Sequence, residues 1–350
     1  MDLHVVRRRL EAAEAALSPY AAKTVTSRGR KRPESPSPLR TEYQRDRDRI
    51  LHTKAFRRLK HKTQVFIAPT QDHFVTRLTH TLEVAQIART IARALNLNED
   101  LAEAAALGHD IGHGPFGHAG EEALAECLPD GFRHNYQSVR VLDRLENGGR
   151  GLNLTFEVLD AIEKSSKARE DIFAEGWGVP ATLEGQVVKT ADAIAYLNHD
   201  ILDAVRAGII TEEDLPDTTK RILGRSHGER LDALVCDIVA ASWAATGAGA
   251  DPVIRFSPEV HRAANELREF MFERVYLYDE TRREAERGKR IVHFLFSYYI
   301  AHPEGISPDY SLPDDPVERR VADYVSGMTD RFAIRLAATL GCSEALGWQV

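Results

Sequence analysis

Six of the fourteen histidines in this 350-residue chain, His73, His80, His109, His113, His118 and His134, fall between positions 73 and 134. Imidazole ligates metal ions and moves protons near neutral pH, so this crowding points to a metal centre or to acid–base chemistry. His109 is followed by Asp110. Imidazole nitrogen and carboxylate oxygen side by side at a helix end can both reach one ion lying off that end, at roughly 2.0–2.2 Å. Such mixed ligation suits Mn, Fe, Zn or Mg better than soft metals. An HD dipeptide alone is weak evidence, so the elements that carry the other histidines matter. Cys127, Cys236 and Cys342 are odd in number and widely spaced, which suits neither a disulfide framework nor a thiolate cluster. They read as small buried apolar residues. The chain has no G-x-x-x-x-G-K-[ST] loop, G-x-S-x-G or H-E-x-x-H, which argues against a P-loop enzyme and an esterase.

Three helices would position the candidate groups. Turning 100° per residue along 72–95 places Arg77 and His73 on the His80 side, with Phe74, Val75, Leu78, Leu82 and Ala85 opposite. Val84, Ile87 and Ile91 rotate back toward His80, so this helix is predicted to be apolar on most sides and central, with His80 buried. The next helix, NEDLAEAAALGHDIGHG, has a body of small residues and stops where Gly112, Gly114 and Pro115 forbid easy continuation. That puts His109 and Asp110 at a C-terminus, whose carbonyls favour a cation. Along 182–205, Leu183, Val187, Ile194, Leu197, Ile201 and Val205 form one stripe, and Asp192 faces away from it among Lys189, Tyr196, His199 and Asp200. That polar ridge reads either as a fourth ligand with its neighbours or as an ordinary solvent-exposed face.

The rest of the chain is read as one all-α protein. With 43% apolar and 28% charged residues it falls in the range of soluble globular proteins. No run approaches the ~20 apolar residues of a membrane helix, so no membrane partner and a cytoplasmic location are expected. Period-2 alternation is nearly absent, and VIRF at 253–256 is at best one short strand. Ser257 and Pro258 read as N-cap and first helical residue, and Gly208 and Gly341 as helix stops. Residues 28–62 hold thirteen Lys or Arg against four acids, where the whole chain sums to −7. Nucleic acid, a nucleotide phosphate chain and a solvated face all fit that charge. Within it, 27–40 is rich in proline and serine and reads as a loop or mobile arm, with helix resuming near Thr41. The organisation expected is an N-terminal helix and basic arm over 1–39, then a single helical domain over 40–345. Its metal-binding core would span about 60–210 and its C-terminal helices about 220–345.

His80, then His109–Asp110, then Asp192 resembles the H…HD…D signature of the HD superfamily of metal-dependent phosphohydrolases, which are helical bundles. The stretch HDIGHGPFGHAGE, 109–121, is similar to the signature of the deoxynucleoside triphosphate triphosphohydrolases, the bacterial dGTPase-like enzymes. Residues 40–66 and 323–333 resemble two further segments of that family, so the likeness covers nearly the whole chain. It implies hydrolysis of a dNTP to deoxynucleoside and inorganic triphosphate, with a divalent metal on His80, His109, Asp110 and Asp192. It also implies His118 as general acid/base, with Glu121 orienting it; three residues apart at a helix start, these two share a face. Glu121 could instead serve only the first-turn electrostatics of its helix, with Glu122 as the alternative orienter. His113 and His134 match family histidines near the phosphates. Arg77 resembles the phosphate-binding arginine, with Lys189 assisting. Gln64, Tyr196 and Asp200 resemble the groups around the deoxyribose, although Tyr196 could be packing and Gln64 a helix cap.

Two rivals remain: another HD phosphohydrolase with the same ligands but a different nucleotide, and a protein that binds single-stranded nucleic acid through 28–62. The chain lacks the insertions of the longer dGTPases, which leaves strict dGTP preference open. By analogy with the family, a homo-oligomer activated by nucleotide is expected.

Overall fold

A computed structural model describes residues 3–65, 74–166, 178–249, 252–310, 312 and 314–348. In chain order the α-helices are α1 (His4–Ala13), α2 (Glu42–Leu51), α3 (Lys54–Arg58), α4 (Arg77–Ala94), α5 (Glu99–Gly108), α6 (Gly117–Cys127), α7 (His134–Arg140) and α8 (Glu146–Gly149). They continue as α9 (Phe156–Glu163), α10 (Leu183–Arg206), α11 (Asp217–Ile222), α12 (His227–Ala241), α13 (Pro258–Met271), α14 (Asp279–Ala301), α15 (Val317–Ser326) and α16 (Asp330–Thr339). The fold is all-α. Among the described residues the only β pairing is two isolated bridges, Arg30 with Thr155 and Thr63 with Thr76.

Local sequence accounts for many of the helix ends. Thr41 and Gln44 form a capping box at α2, each bonding the other's backbone N–H. Asn98 caps α5 through the amides of Asp100 and Leu101, Thr182 caps α10 through Gly185, and Ser257 caps α13 with Pro258 behind it. Gly208 and Gly341 adopt positive φ of +71° and +91° at the ends of α10 and α16, as C-terminal stops.

The chain forms two compact units, one from residues 1–52, 81–109 and 153–275, the other from 53–80, 110–152 and 276–350, so it passes from one to the other five times. In the first unit, α5 packs on α2, α9 and α10. Its alanines at 102, 104, 105 and 106 are fully buried. A Cβ on Gly108 would come within 2.4 Å of Ile162 Cδ1, so only a glycine lets the end of α5 lie this close to α9. In the second unit the core is built from Ala123 and Leu124 of α6, Ile291, Val292, Leu295 and Phe296 of α14, Val321 and Val325 of α15, and Ile334 of α16.

Three expectations need correction. The VIRF segment has no regular secondary structure and pairs with no strand among the described residues. The amide of Arg255 donates to Ser242 Oγ and its carbonyl accepts from the same hydroxyl, so side chains of the preceding helices satisfy backbone that a sheet would otherwise have to. The 27–40 stretch is a loop, but it is pinned rather than a free arm. Arg30 reaches Glu42, Asp46 and the carbonyl of Asn153, and Ser27 Oγ and Arg28 N–H donate to Glu157. Finally, Leu82 is 48% exposed. It lines an open groove of about 710 Å³ with Ala85, Gln86, Arg89 and Arg93, so α4 is buried on its His80 side and open on the other.

Candidate active site

The groups predicted from sequence divide between the two units. Gln64, Arg77, His80, Asp110, His113, His118, Glu121 and His134 belong to the second unit, and His109, Lys189, Asp192, Tyr196 and Asp200 to the first. His73 lies outside the described residues.

In the second unit the geometry centres on Asp110. The Arg77 guanidinium donates from Nη1 to Asp110 Oδ2 at 2.7 Å, and His80 Nε2 lies 3.8 Å from the same oxygen. His113 Nε2 lies 3.3 Å from Oδ1. Arg77, His80, Asp110 and His113 are all at least 97% buried. The His113 and His134 rings stack at 3.8 Å and 13°. Asp110, His113 and His134 together offer three ligand atoms within 4.8 Å of one another. Burial, with Arg77 and His134 beside it, holds His113 well below the ordinary imidazole value, so it is neutral and donates its single proton from Nε2 to Asp110.

A second array hangs from Glu121, in the second turn of α6. Oε1 accepts from the backbone N–H of His134 at 2.8 Å and from His134 Nδ1 at 2.9 Å, while Oε2 accepts from His118 Nδ1 at 3.1 Å. Burial opposes charge on Glu121, but His134 and His118 outweigh it and hold the carboxyl well below the usual range. Burial likewise opposes charging His134, and Glu121 reverses that and raises its pKa. An ionised carboxylate only accepts, so both imidazoles present Nδ1–H to it. The proton available for transfer on His118 is therefore at Nε2, on a side chain that is 79% exposed. Glu122, the alternative orienter, points to Lys289 at 2.6 Å instead.

The turn between these arrays is compressed. Phe116 has φ +64° and Gly117 φ +56°. A Cβ on Gly112 would lie 2.2 Å from the His134 carbonyl, and one on Gly120 would lie 1.9 Å from that of Pro115. Two buried side chains also grip the turn, with burial pushing the Lys62 amine down to about 7 and the Asp330 carboxyl up. Lys62 Nζ donates to the carbonyls of His113 and, at 3.0 Å, Ser326. Asp330 accepts from Phe116 N–H at 3.0 Å, from Thr63 N–H at 2.9 Å and from the Thr63 hydroxyl. Sequence reasoning missed this pair. Lys62 was counted with a basic stretch, and Asp330 beside Thr329 looks like ordinary helix-start chemistry.

In the first unit, His109 Nδ1 donates to the Ala106 carbonyl at 2.6 Å, since a carbonyl cannot donate. That fixes the tautomer and leaves the lone pair on Nε2, which lies 3.9 Å from Asp192 Oδ1. The donor types fit a divalent ion: an imidazole oriented through Nδ1, with a carboxylate facing its Nε2. The polar ridge of α10 is not a solvent face. Lys189, His199 and Asp200 are buried, the Asp192 side chain is 19% exposed, and His199 Nδ1 meets Asp200 Oδ1 at 2.7 Å. Tyr196 lies among Arg268, Asp192 and Asp200, its hydroxyl pKa raised chiefly by burial.

The basic stretch reads differently in three dimensions. In the first unit Arg40 pairs with Asp48, Arg45 with Glu34 and Glu42, Arg47 with Asp48, Asp100 and Glu103, and Arg49 with Glu34. Much of its charge is spent within the protein.

Residues 77–197 match the HD domain, and 254–339 a phosphohydrolase-associated domain. A deoxyguanosinetriphosphate triphosphohydrolase-like protein of Caldanaerobacter subterraneus is 52% identical over 91% of this chain and 90% of its own length. Proteins of the same description from Desulfatibacillum aliphaticivorans, 47% identical over 91% and 92%, and Clostridium tetani, 45% identical over 96% of each chain, also match. Among solved structures, a phosphohydrolase from Bacteroides thetaiotaomicron shares the fold, with a TM-score of 0.51 and 17% identity over 85% of this chain and 71% of its own. The chain therefore belongs to the deoxyguanosinetriphosphate triphosphohydrolase-like proteins, a family of HD-domain phosphohydrolases.

Proposed function

We propose that the protein hydrolyses one or more dNTPs, dGTP among them, to deoxynucleoside and inorganic triphosphate, with a divalent metal held by His80, His109, Asp110 and Asp192. The observation that carries this reading is the Glu121 array, which orients His118 through Nδ1 for proton transfer, in the same unit as buried His80 lying close to Asp110. The relatives' names supply the substrate class. When bound, the metal polarises an α-phosphate oxygen and lowers the pKa of water.

The chain's own residues account for the rest. Water adds to the α-phosphorus and releases one proton to solvent, the bond to the 5′ oxygen breaks, and His118 delivers its Nε2 proton to the departing 5′ oxygen and, being exposed, regains one from solvent. Glu121 keeps the His118 ring oriented through Nδ1. Arg77 and Lys189 are cationic donors for the triphosphate, with His113 and His134 beside the phosphates. Gln64, Tyr196 and Asp200 enclose the deoxyribose, where crowding rejects a 2′-hydroxyl.

Anion-exchange analysis of products after incubation with each dNTP, singly and mixed, in Mg²⁺ or Mn²⁺ tests the proposal. Deoxynucleoside with triphosphate is expected. Orthophosphate or pyrophosphate instead would assign the chain to another HD phosphohydrolase reaction.

A further inference from the structure

We infer that Lys62 and Asp330 are positioning residues, a buried amine and a buried carboxyl that hold the turn from His113 to Phe116 at its two ends and so set His113 and His118 for the reaction. This rests on the proposed function for its kinetic consequence, although the clamp itself is a matter of geometry within the second unit. Lys62 takes the carbonyl at the start of the turn and Asp330 the amide at its end. The two side chains are tied to each other through adjacent residues, because Asp330 also receives both the N–H and the hydroxyl of Thr63.

Neither side chain is there for stability alone. Lys62 and Asp330 are only 3% and 2% exposed. Burying two ionisable groups costs more desolvation than a well-packed apolar pair of the same volume. What their hydrogen bonds supply is direction. Phe116 is a bulky residue at positive φ, a conformation that persists only where neighbours over-determine it. Its amide is fixed by Asp330, and its ring lies against Gly288 of α14, where a Cβ would come within 2.9 Å. The Lys62 carbonyl also accepts the amide of Arg77 at 3.2 Å, and Thr63 bridges Thr76. One short segment, 62–63, thus registers the start of α4, which carries Arg77 and His80, against the turn that carries His113. Asp330, within the stretch that matches the phosphohydrolase-associated domain, gives that region a part in the chemistry.

The test compares Asp330→Asn, Lys62→Met and the double variant with wild type, by steady-state kinetics on a dNTP and by hydrogen exchange of peptides over 110–120. An asparagine places a donor against one of the two N–H groups, and a methionine leaves the His113 carbonyl without its donor. Each single variant is expected to lose about 30-fold or more in kcat with KM within about threefold, because a displacement of about 1 Å at a reacting group is enough for such a loss. The double variant should be no more than about threefold worse than the worse single, since both act on one turn. Exchange over 110–120 should accelerate while α13 peptides stay unchanged. A kcat within twofold of wild type in both singles overturns the inference, as does a fall in kcat with exchange of the turn unaltered. Should wild type hydrolyse no dNTP, the functional reading fails, and the exchange data alone then judge the clamp, with an unaltered turn counting against it. Should circular dichroism show Asp330→Asn misfolded, Thr63→Val removes one donor while keeping the backbone, with the same directions expected at about 3- to 10-fold.

Discussion

Glu121 takes hydrogen bonds from two imidazoles, and that shared use gives its substitution a distinctive expected signature. Glu121→Gln keeps the shape but removes the charge that raises His134 and orients His118. A loss of about 100-fold or more in kcat is expected, with bound metal unchanged by elemental analysis. Lost metal would instead make Glu121 part of the ion site. Asp110→Ala should behave oppositely, losing the ion and activity together while the helical signal survives, and full metal occupancy in that variant would remove Asp110 from the ligand set. Much of this was legible in sequence. His118 and Glu121 sit three apart on one helix, and His109–Asp110 sits where α5 ends. The claim of His134 on Glu121 was not, because it comes from 13 positions away across the end of α6. Local spacing rules do not reach that far.

At the scale of elements, the turn after α5 depends on glycines with no room for a side chain. Gly112→Ala would drive a Cβ into the first turn of α7, against the His134 carbonyl and the Ser138 amide. The backbone there cannot yield as a side chain would, so a loss of about 2–4 kcal/mol is expected, read as a fall in Tm of several degrees with reduced kcat. A variant with unchanged Tm and turnover would show that the turn can move. The starts of α2 and α13 were readable from Thr41 and from Ser257 with Pro258, since capping is local chemistry. The irregular pieces were not. VIRF satisfies its backbone through Ser242 and Gln186, and the 27–40 loop is fastened by acids from α2 and α9. Composition announces that such segments are loops but is silent on what holds them. Helical periodicity likewise identified the buried side of α4, but not that Leu82 faces an open groove.

At the scale of the molecule, stability should respond to pH through Glu184. This carboxyl sits in the first turn of α10 and accepts the amides of Ala22 and Asn98, fastening the N-terminal segment to the first unit. Burial pushes its pKa up to about 7 from 4.5. Between those values the folded chain binds more protons at this site than the unfolded chain, so its contribution to stability falls as pH rises. Urea denaturation should show the stability of wild type relative to Glu184→Gln to be greater at pH 5 than at pH 7.5. A difference independent of pH would mean that Glu184 titrates normally.

The five crossings of the chain between its units bear on how the protein is made. Neither unit is a contiguous stretch, so neither can be lifted out by truncation at one point. The first unit needs residue 275 before its last segment is available to residues 1–52. α2 can meet α5 early, but at 5–20 residues per second Ser18 and Tyr20 wait roughly 10–45 s for Ala245 and Gly249, the last partners of the N-terminal segment. The protein should therefore depend on chaperones during translation more than an all-helical chain of its length with consecutive domains.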